Sequence, residues 1–194
     1  MKSKARIAIF ASGSGTNAEE IFKYFKDRSD IKVALLLSNN PDAYALERAT
    51  KYGVDSKVFT KIQFRESEDV LNWFKQYEIT HVVLAGFLWL IPQNLIKAFP
   101  HQIVNIHPAL LPSFGGKGMY GMKVHEAVKN AGEIETGITI HEVNEQYDDG
   151  KILFQAKCNV HSTDTPEQIA NKIHLLEHAH YPRVIEQWIN NHSC

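Results

Sequence analysis

The sequence has few cysteines, no long apolar run and no excess of charge of either sign. Its two cysteines, Cys158 and Cys194, cannot by themselves form a disulfide framework or a four-ligand zinc site. A reducing cytoplasm is therefore the expected location. No apolar run approaches the roughly 18 residues that a membrane span needs. These absences exclude disulfide-rich and membrane-spanning classes, so we expect no membrane partner.

Charge is almost balanced, with 21 Lys and Arg residues against 22 Asp and Glu residues. Because this balance creates no global field that attracts a polyanion, a phosphate ligand would need a local site. The 194 residues are 44% hydrophobic and 22% charged, as in an ordinary folded domain. We therefore expect a single domain over residues 1–194.

Short aliphatic runs alternate with amphipathic stretches in the first half of the chain. The basic start at Met1–Arg6 leads into a run too short for a secretory signal, which we interpret as the first strand. The predicted strands are Ile7–Ala11, Ile31–Leu37, Val54–Phe59, Val82–Gly86 and Ile103–Ile106. The predicted helices are Ala18–Phe25, Tyr44–Tyr52, Glu66–Tyr77 and Gln93–Phe99. This alternation predicts an α/β fold with right-handed crossovers and a doubly wound, mostly parallel sheet that is covered on both faces.

After Ile106 the pattern changes. A glycine-rich loop precedes a short helix near Val124–Asn130, and two strand-like runs follow at Gly137–Val143 and Lys151–Val160. The segment between these runs is too short for a helical crossover, so they predict a C-terminal antiparallel hairpin. Thr165-Pro166-Glu167-Gln168 has the pattern of a capping box and predicts the start of a long final helix.

A glycine-rich turn, Ser12–Asn17, joins the first strand to the first helix. Backbone N–H groups and the positive end of the helix dipole bind anions at such positions. The turn fits a dinucleotide fingerprint, but Ser38-Asn39-Asn40 stands where that fingerprint needs an acid after the second strand. A single phosphate, bound by backbone amides with Thr16 and Asn17, fits better; an ordinary turn and helix cap is the alternative.

Asn105 and His107 lie two residues apart at the end of a predicted strand, before Pro108. Their side chains should share one face of the sheet and can converge on one atom. A carboxamide and an imidazolium aimed at one oxygen suit a tetrahedral oxyanion, and the imidazolium can also act as a general acid. The alternative is that Asn105 caps a turn and His107 packs under the proline.

A carboxylate would orient that imidazole and favour its charged form. Asp148 and Asp149 are both candidates in the predicted hairpin loop, although Asp-Gly is also common in hairpin turns. The residues alone leave this choice open. The apolar run that follows Gly86 lies at a strand's carboxyl end, where a flat heterocycle could bind. Glu177 in the final helix could bind a ligand amine or hydroxyl, or could be solvated.

Together these motifs resemble the phosphoribosylglycinamide formyltransferase family, the folate-dependent enzymes of purine synthesis. The resemblance covers nearly the whole chain, in the strings SGSGTN, SNNPDAYALERA, VLAGFLWLI, NIHPALLP, TGITIHEV, DDGKILFQ and EHAHYPRVI. NIHPALLP with the Asp-x-Gly is the most diagnostic part. The resemblance implies a Rossmann-like fold and transfer of the formyl group of 10-formyltetrahydrofolate to 5'-phosphoribosylglycinamide (GAR).

The resemblance also implies residue roles. It makes Asn105, His107 and Asp148 the catalytic set, because spacing to Gly150 selects Asp148. The residues matching the GAR-binding positions are Gly15, Thr16 and Asn17 for the phosphate and Glu177 for the ribose. The residues matching the folate-binding positions are Arg65, Leu88, Trp89, Leu90, Ile91 and Asn105, with the backbone of 144–148 on the pterin. Among the histidines no metal-ligand spacing stands out, so we predict no metal.

Two features depart from the family pattern. Trp89 stands where many members have arginine, which affects side-chain contacts to the folate tail. The Ser113–Met122 loop is longer than in short bacterial members, and its four glycines suit a mobile lid or a disordered surface loop.

The alternative functions change the acceptor or the class of protein. Formyltetrahydrofolate deformylase uses water, and methionyl-tRNA formyltransferase needs an extra domain and a basic face, which this charge balance does not predict. A nicotinamide-dependent reductase and a non-catalytic nucleotide-binding module are further alternatives. We expect two small anionic substrates, no nucleic acid, nothing appended to the domain, and a monomer or homodimer.

Overall fold

A computed structural model describes residues 5–191 of the chain. Residues 1–4 of the basic start and Cys194 lie outside the described residues. The strands are β1 (Ala5–Phe10), β2 (Ile31–Ser38), β3 (Asp55–Val58), β4 (His81–Leu84), β5 (Ile103–His107), β6 (Glu135–Glu142) and β7 (Ile152–Asn159). The helices are α1 (Thr16–Phe25), α2 (Tyr44–Lys51), α3 (Lys61–Arg65), α4 (Asp69–Gln76), α5 (Gln93–Ala98), α6 (Met122–Asn130) and α7 (Pro166–Asn191).

The strand order is β3-β2-β1-β4-β5-β6-β7 in a seven-stranded sheet. β1 pairs in parallel with β2 and β4, and β2 pairs in parallel with β3. β6 and β7 form an antiparallel pair, with Ile138 opposite Ala156. This arrangement confirms the predicted mostly parallel sheet with a C-terminal hairpin.

The chain divides into two compact units, Met1–Val104 and Asn105–Cys194. The single formyltransferase domain expected from the sequence stays a prediction. Within residues 5–191, no helix combines the length and the apolar character that crossing a membrane demands.

The first unit has an aromatic core around Phe10 of β1. The rings of Phe59, Phe64 and Phe74 pack edge-on against it, with centroid distances of 5.6, 5.8 and 6.0 Å. Such pairs add to the free energy gained by burying the rings. β1 is fully apolar and buried from Ile7 onward, as expected for a parallel strand covered on both faces.

The helix predicted over Glu66–Tyr77 corresponds to α4, which begins three residues later, and the short helix α3 that precedes it was not predicted. Thr60 and Gln63 form a capping box that starts α3, and that signal was overlooked. Ser67 separates the two helices, because its hydroxyl donates to the Gln63 carbonyl and accepts from the Asp69 N–H. The break places Arg65 at the end of α3.

The second unit is built on the β6–β7 hairpin and the long helix α7. The backbone N–H of Thr165 donates to the Gln168 side chain at 2.8 Å, and the Gln168 N–H donates to the Thr165 hydroxyl at 3.3 Å. This reciprocal pair confirms the predicted capping box. Helix α7 contacts α6, β6 and β7 through a buried apolar face that includes Ile169, Ile173, Tyr181, Ile185 and Ile189.

Candidate active site

The glycine-rich turn in the first unit is held closely against helix α2. Gly15 precedes α1 with φ of 71°, and a Cβ atom there would lie 2.6 Å from the Ala45 Cβ. Only glycine fits such a position without strain. The Ala45 N–H also donates to the Gly13 carbonyl at 3.1 Å. The turn therefore depends on the close approach of the two backbones.

Polar side chains fix the same turn. Arg48 donates to the Ser14 carbonyl at 2.8 Å and forms an ion pair with Glu19. Ser12 donates to Asn39 at 2.7 Å and accepts from the Leu88 N–H at 3.2 Å. The turn is therefore held rigidly before any ligand binds.

Helix α1 begins at Thr16, and the residue before it, Gly15, has no side chain to cap the first turn. First-turn N–H groups have no partner inside their own helix, and the helix dipole is positive there. Glu19, the acidic residue of this turn, is paired with Arg48 and so adds little negative charge. Gly15, Thr16 and Asn17 are therefore adjacent at a helix terminus that suits an anion.

Five of the residues predicted to contact folate, Arg65 and the run Leu88 to Ile91, lie in two segments of the first unit. Trp89 packs on Phe59 and Phe64, at centroid distances of 6.0 and 5.8 Å, and Arg65 directly follows Phe64. The two segments thus meet at one aromatic group. Leu88 is 49% exposed, whereas Ile91 is 3% exposed. The segment 88–91 therefore exposes the apolar side chain of Leu88 to solvent and buries that of Ile91 in the core.

Asn105 and His107 lie on β5, where alternation places both side chains on one face and the buried Ile106 on the other. His107 is 3% exposed. Its Nδ1 atom is 3.5 Å from Asp148 Oδ2, and its Nε2 atom is 2.8 Å from the Phe114 carbonyl oxygen. The imidazole therefore has a polar neighbour at each nitrogen, whereas the alternative prediction was that His107 only packs under Pro108.

Asp148 is the carboxylate beside this imidazole. Its Oδ1 atom is 3.6 Å from His141 Nε2, and its Oδ2 atom accepts from the Gly116 N–H at 3.0 Å. Asp149 is exposed and lies 3.5 Å from the Asn144 amide. The geometry thus separates two adjacent acids that the residues alone could not distinguish.

His141 on β6 is a site residue that the sequence reasoning did not single out. Its Nδ1 atom is 2.8 Å from the Glu142 carbonyl, so Nδ1 carries a proton and donates. Its Nε2 atom is 3.2 Å from Asn105 Nδ2. This contact orients the carboxamide and leaves the second N–H of that group for a ligand. The string TGITIHEV could have indicated His141, because this residue lies two positions after the buried Thr139 and therefore on the same face of the strand.

The turn that follows β5 is tied to the hairpin through Thr139. The Thr139 hydroxyl accepts from the Leu111 N–H at 2.9 Å and donates to the Ala109 carbonyl at 2.7 Å. Gln155 of β7 donates to the same hydroxyl at 2.9 Å and to the Leu111 carbonyl at 3.1 Å. These bonds fix the backbone next to His107.

Burial lowers the pKa of the His107 imidazole, and the negative charge of Asp148 and the Phe114 carbonyl offset this only in part. The expectation that Asp148 keeps His107 charged stays a prediction. Burial acts to raise the pKa of Asp148, but His141, His107 and the Gly116 N–H outweigh it and lower that pKa. The pair consists of a carboxylate and an imidazole, and a second acceptor, the Phe114 carbonyl, lies at the other ring nitrogen.

Glu177 lies on α7 and is only 7% exposed, so the solvated alternative is wrong. It lies near Tyr181, whose phenol pKa is raised by burial and by the charge of Glu177. Cys158 of β7 is a free thiol with a pKa raised by burial, which disfavours a nucleophilic thiolate. In the described part of the chain, no group of three or more His, Cys, Asp or Glu residues could hold a metal ion.

The structure brings a carboxamide, two imidazoles and a carboxylate together, and such a set suits the acid–base and oxyanion chemistry of group-transfer enzymes. The chain belongs to the formyl transferase family, whose sequence model matches residues 5–185. This match confirms the resemblance that the sequence motifs predicted.

Curated relatives and solved structures agree with this family. A phosphoribosylglycinamide formyltransferase of Bacillus subtilis is 36% identical over 187 residues, covering 94% of this chain and 93% of that protein. The chloroplastic enzyme of that name from Arabidopsis thaliana is 42% identical over 94% of this chain, and the chain spans 64% of its length. The crystal structure of glycinamide ribonucleotide transformylase 1 from Symbiobacterium toebii superposes with a TM-score of 0.88, at 33% identity, over 96% of this chain and 88% of that one. The hydrolase and reductase alternatives find no support in these matches.

Proposed function

We propose that the chain transfers the formyl group of 10-formyltetrahydrofolate to the amine of GAR, giving formyl-GAR in purine (IMP) synthesis. The observation that carries the proposal is the contact of Asp148 with His107 and His141, the latter bonded to Asn105, in a member of the formyl transferase family. The name of the Bacillus subtilis relative, which matches this chain over almost its full length, supports the same acceptor.

Each substrate has proposed binding residues. The backbone at Gly15, Thr16 and Asn17 binds the GAR phosphate, because a rigid glycine turn before a helix offers directed N–H groups. Buried Glu177 binds the ribose hydroxyls as an acceptor. The residues proposed to contact folate are Arg65, Leu88, Trp89, Leu90, Ile91 and Asn105, with the backbone at 144–148.

At the reacting centre, the GAR amine attacks the formyl carbon, and the π electrons of the carbonyl move onto the formyl oxygen. The Asn105 N–H that is not bonded to His141 donates to this oxyanion. A preorganised donor of this kind is worth about 3 kcal/mol. The carboxamide is already oriented in the free protein, so little reorganisation is needed during the reaction.

Protonated His107 donates to the same oxyanion, and Asp148, 3.5 Å away, holds the imidazole in its charged form. When the bond between the formyl carbon and N10 breaks, the oxyanion re-forms the carbonyl and the electron pair of the broken bond goes to N10. The proton that the amine loses passes through water and Asp148 to N10. The transfer is balanced, since one proton leaves the amine and one reaches the folate. Water can mediate either step.

An absorbance assay tests this function directly. The protein is mixed with 10-formyltetrahydrofolate, with and without GAR, and the deformylated folate is followed. We expect product only when GAR is present, together with formyl-GAR in equal amount. Folate release without GAR would identify a hydrolase, and no release in either mixture would refute the proposal. Glycinamide riboside, which lacks the phosphate, should react only at much higher concentration.

We propose in addition that residues 1–194 act as one formyltransferase domain, as a monomer or homodimer, in a reducing cytoplasm. The free thiol of Cys158 is consistent with such a compartment. Sedimentation of the purified protein measures the oligomeric state.

A further inference from the structure

The guanidinium of Arg48, on helix α2, contacts both the glycine turn and the first turn of helix α1. Its Nε atom donates to the Ser14 carbonyl at 2.8 Å, and its Nη1 atom forms an ion pair with Glu19 Oε2. The guanidinium carbon also lies 4.9 Å from the centre of the Tyr44 ring. A planar group held at three places keeps one orientation. Arg48 therefore links helix α2 to the segment proposed to bind the phosphate.

The bond to Ser14 belongs to a set that engages three consecutive carbonyls of the turn. The Gly13 carbonyl accepts from the Ala45 N–H at 3.1 Å, and the Gly15 carbonyl accepts from the Glu19 N–H at 2.9 Å. Ser14 differs from these two because its donor belongs to a side chain. A carbonyl oxygen is partly negative, so a bond that holds it away from a phosphate favours binding. A single side chain therefore fixes the middle peptide group of the turn.

The ion pair with Glu19 acts on the charge of the same region. Glu19 lies in the first turn of α1, where the positive end of the helix dipole attracts an anion. An unpaired carboxylate there would repel a phosphate. The side chains of Arg48 and Glu19 are only 21% and 13% exposed, so removing one partner would leave a charge that solvent compensates poorly. Arg48 thus cancels a negative charge that would otherwise oppose the ligand.

We infer that Arg48 is a positioning residue for GAR, which sets the affinity of the glycine turn for the phosphate by fixing the Ser14 carbonyl and by neutralising Glu19. The inference rests on the proposed function and extends it, since it assigns part of the phosphate affinity to a side chain outside the binding segment. Neither the sequence motifs nor the family resemblance assigned a role to Arg48.

Steady-state kinetics of two variants of helix α2 test this role. Arg48→Met removes both contacts, and we expect KM for GAR to rise about tenfold or more, with kcat changed less than about threefold. Lys51→Met is the matched control, because it removes the same charge from the same helix. The exposed Lys51 ammonium lies 3.8 Å from Glu19 Oε1, and its loss should leave KM near the wild-type value.

Removing the carboxylate separates the two actions of Arg48. Glu19→Gln alone should leave KM for GAR at or below the wild-type value, because a negative charge near the ligand is lost. Arg48→Met combined with Glu19→Gln should recover part of the lost affinity, since no uncompensated carboxylate remains. The loss that persists measures the bond to Ser14. A combined variant no better than Arg48→Met would contradict the inference.

Glycinamide riboside, which lacks the phosphate, distinguishes a positioning role from a purely structural one. Arg48→Met should change KM for the riboside by less than about twofold, because the contact that it weakens is absent from this substrate. Equal loss with GAR and with the riboside would show general damage to the fold and would overturn the inference. A wild-type KM for GAR in Arg48→Met would overturn it as well.

If Arg48→Met does not fold, Arg48→Lys takes its place. This variant keeps a cation beside Glu19 but loses the Nε donor to Ser14, so KM for GAR should rise while KM for the riboside stays unchanged. A wild-type KM for GAR in Arg48→Lys would then refute the inference.

The wild type in the same assays separates this inference from the function on which it rests. Absence of formyl-GAR from the wild type would refute the proposed function. Titration calorimetry with GAR would then compare the variants, and equal Kd values for Arg48→Met and Lys51→Met would overturn the inference. Formyl-GAR from the wild type, with equal KM in those two variants, would remove this inference alone.

Discussion

Asp148 and Asp149 are adjacent residues in different environments, and this contrast provides a matched pair of variants. Asp148 contacts His107 and His141, while Asp149 is exposed. We expect Asp148→Asn to lower kcat about a hundredfold or more, because the imidazolium loses its carboxylate in the transition state. KM for GAR should change little. Steady-state kinetics of both variants, with His107→Ala alongside, make the measurement.

Asp149→Asn is the control in that series and should keep near-normal turnover. If Asp149→Asn lost as much activity as Asp148→Asn, the assignment of the carboxylate would be wrong. Near-normal turnover in both His107→Ala and Asp148→Asn would remove the acid–base mechanism altogether.

His125 makes folding stability depend on pH. It is 3% exposed, its Nδ1 atom has no hydrogen-bond partner within residues 5–191, and burial together with His174 and His107 lowers its pKa to about 4. The unfolded chain, with a pKa of about 6.5, binds the proton more tightly, so stability is complete above pH 6.5 and falls as pH drops to about 4. The loss amounts to about 3 kcal/mol.

The variant His125→Leu should flatten this dependence. Urea unfolding from pH 4 to pH 8 measures the free energy of unfolding of both proteins. We expect the variant to match or exceed the wild type at pH 8, because a buried polar atom without a partner is removed, and to lose less stability on acidification. An unchanged slope would show that His125 is not the titrating group.

At the scale of elements, the glycine turn and helix α2 depend on one close contact. Gly15→Ala would place a methyl group 2.6 Å from Ala45 Cβ at a positive φ, whereas a Cβ atom on Gly13 would meet nothing within 4 Å. We expect Gly15→Ala to raise KM for GAR at least about tenfold, because the turn must move and its N–H groups then no longer point at the phosphate. Thermal unfolding of the same variant should occur at lower temperature.

Gly13→Ala is the matched control for that variant and should bind GAR nearly as the wild type does. Titration calorimetry with GAR alone separates binding from turnover. Equal affinity in the two variants would contradict a phosphate site at the turn.

Most elements were predictable from local patterns because their signals lie within a few residues of one another. The capping box of Thr165 and Gln168 marked the start of α7, and two strand-like runs without room for a crossover indicated the hairpin. Helix α3 was not predicted. Its capping box precedes a helix of only five residues, which is too short to show a full apolar period.

At the scale of the whole molecule, the net charge of −1 bears on which acceptor the enzyme can use. Binding of a tRNA depends on phosphate contacts with a basic surface, and it weakens steeply with salt. We expect micromolar tRNA to leave GAR formylation unchanged at low salt, and charged initiator tRNA to receive no formyl group. Inhibition by tRNA that disappears on adding salt would contradict this expectation.

By itself, the sequence determined the strand and helix alternation, the Asn105 and His107 pair on one strand face, and the family. These features depend on spacings that a local pattern contains. The resemblance to the family selected Asp148 over Asp149, and only the tertiary structure showed that the Asp148 carboxylate meets the imidazole, that His141 orients Asn105, and that a loop carbonyl lies against His107 Nε2. The physical reason is distance along the chain. Asn105 and His141 are 36 residues apart, and the pairing of strands and the course of loops bring such residues together.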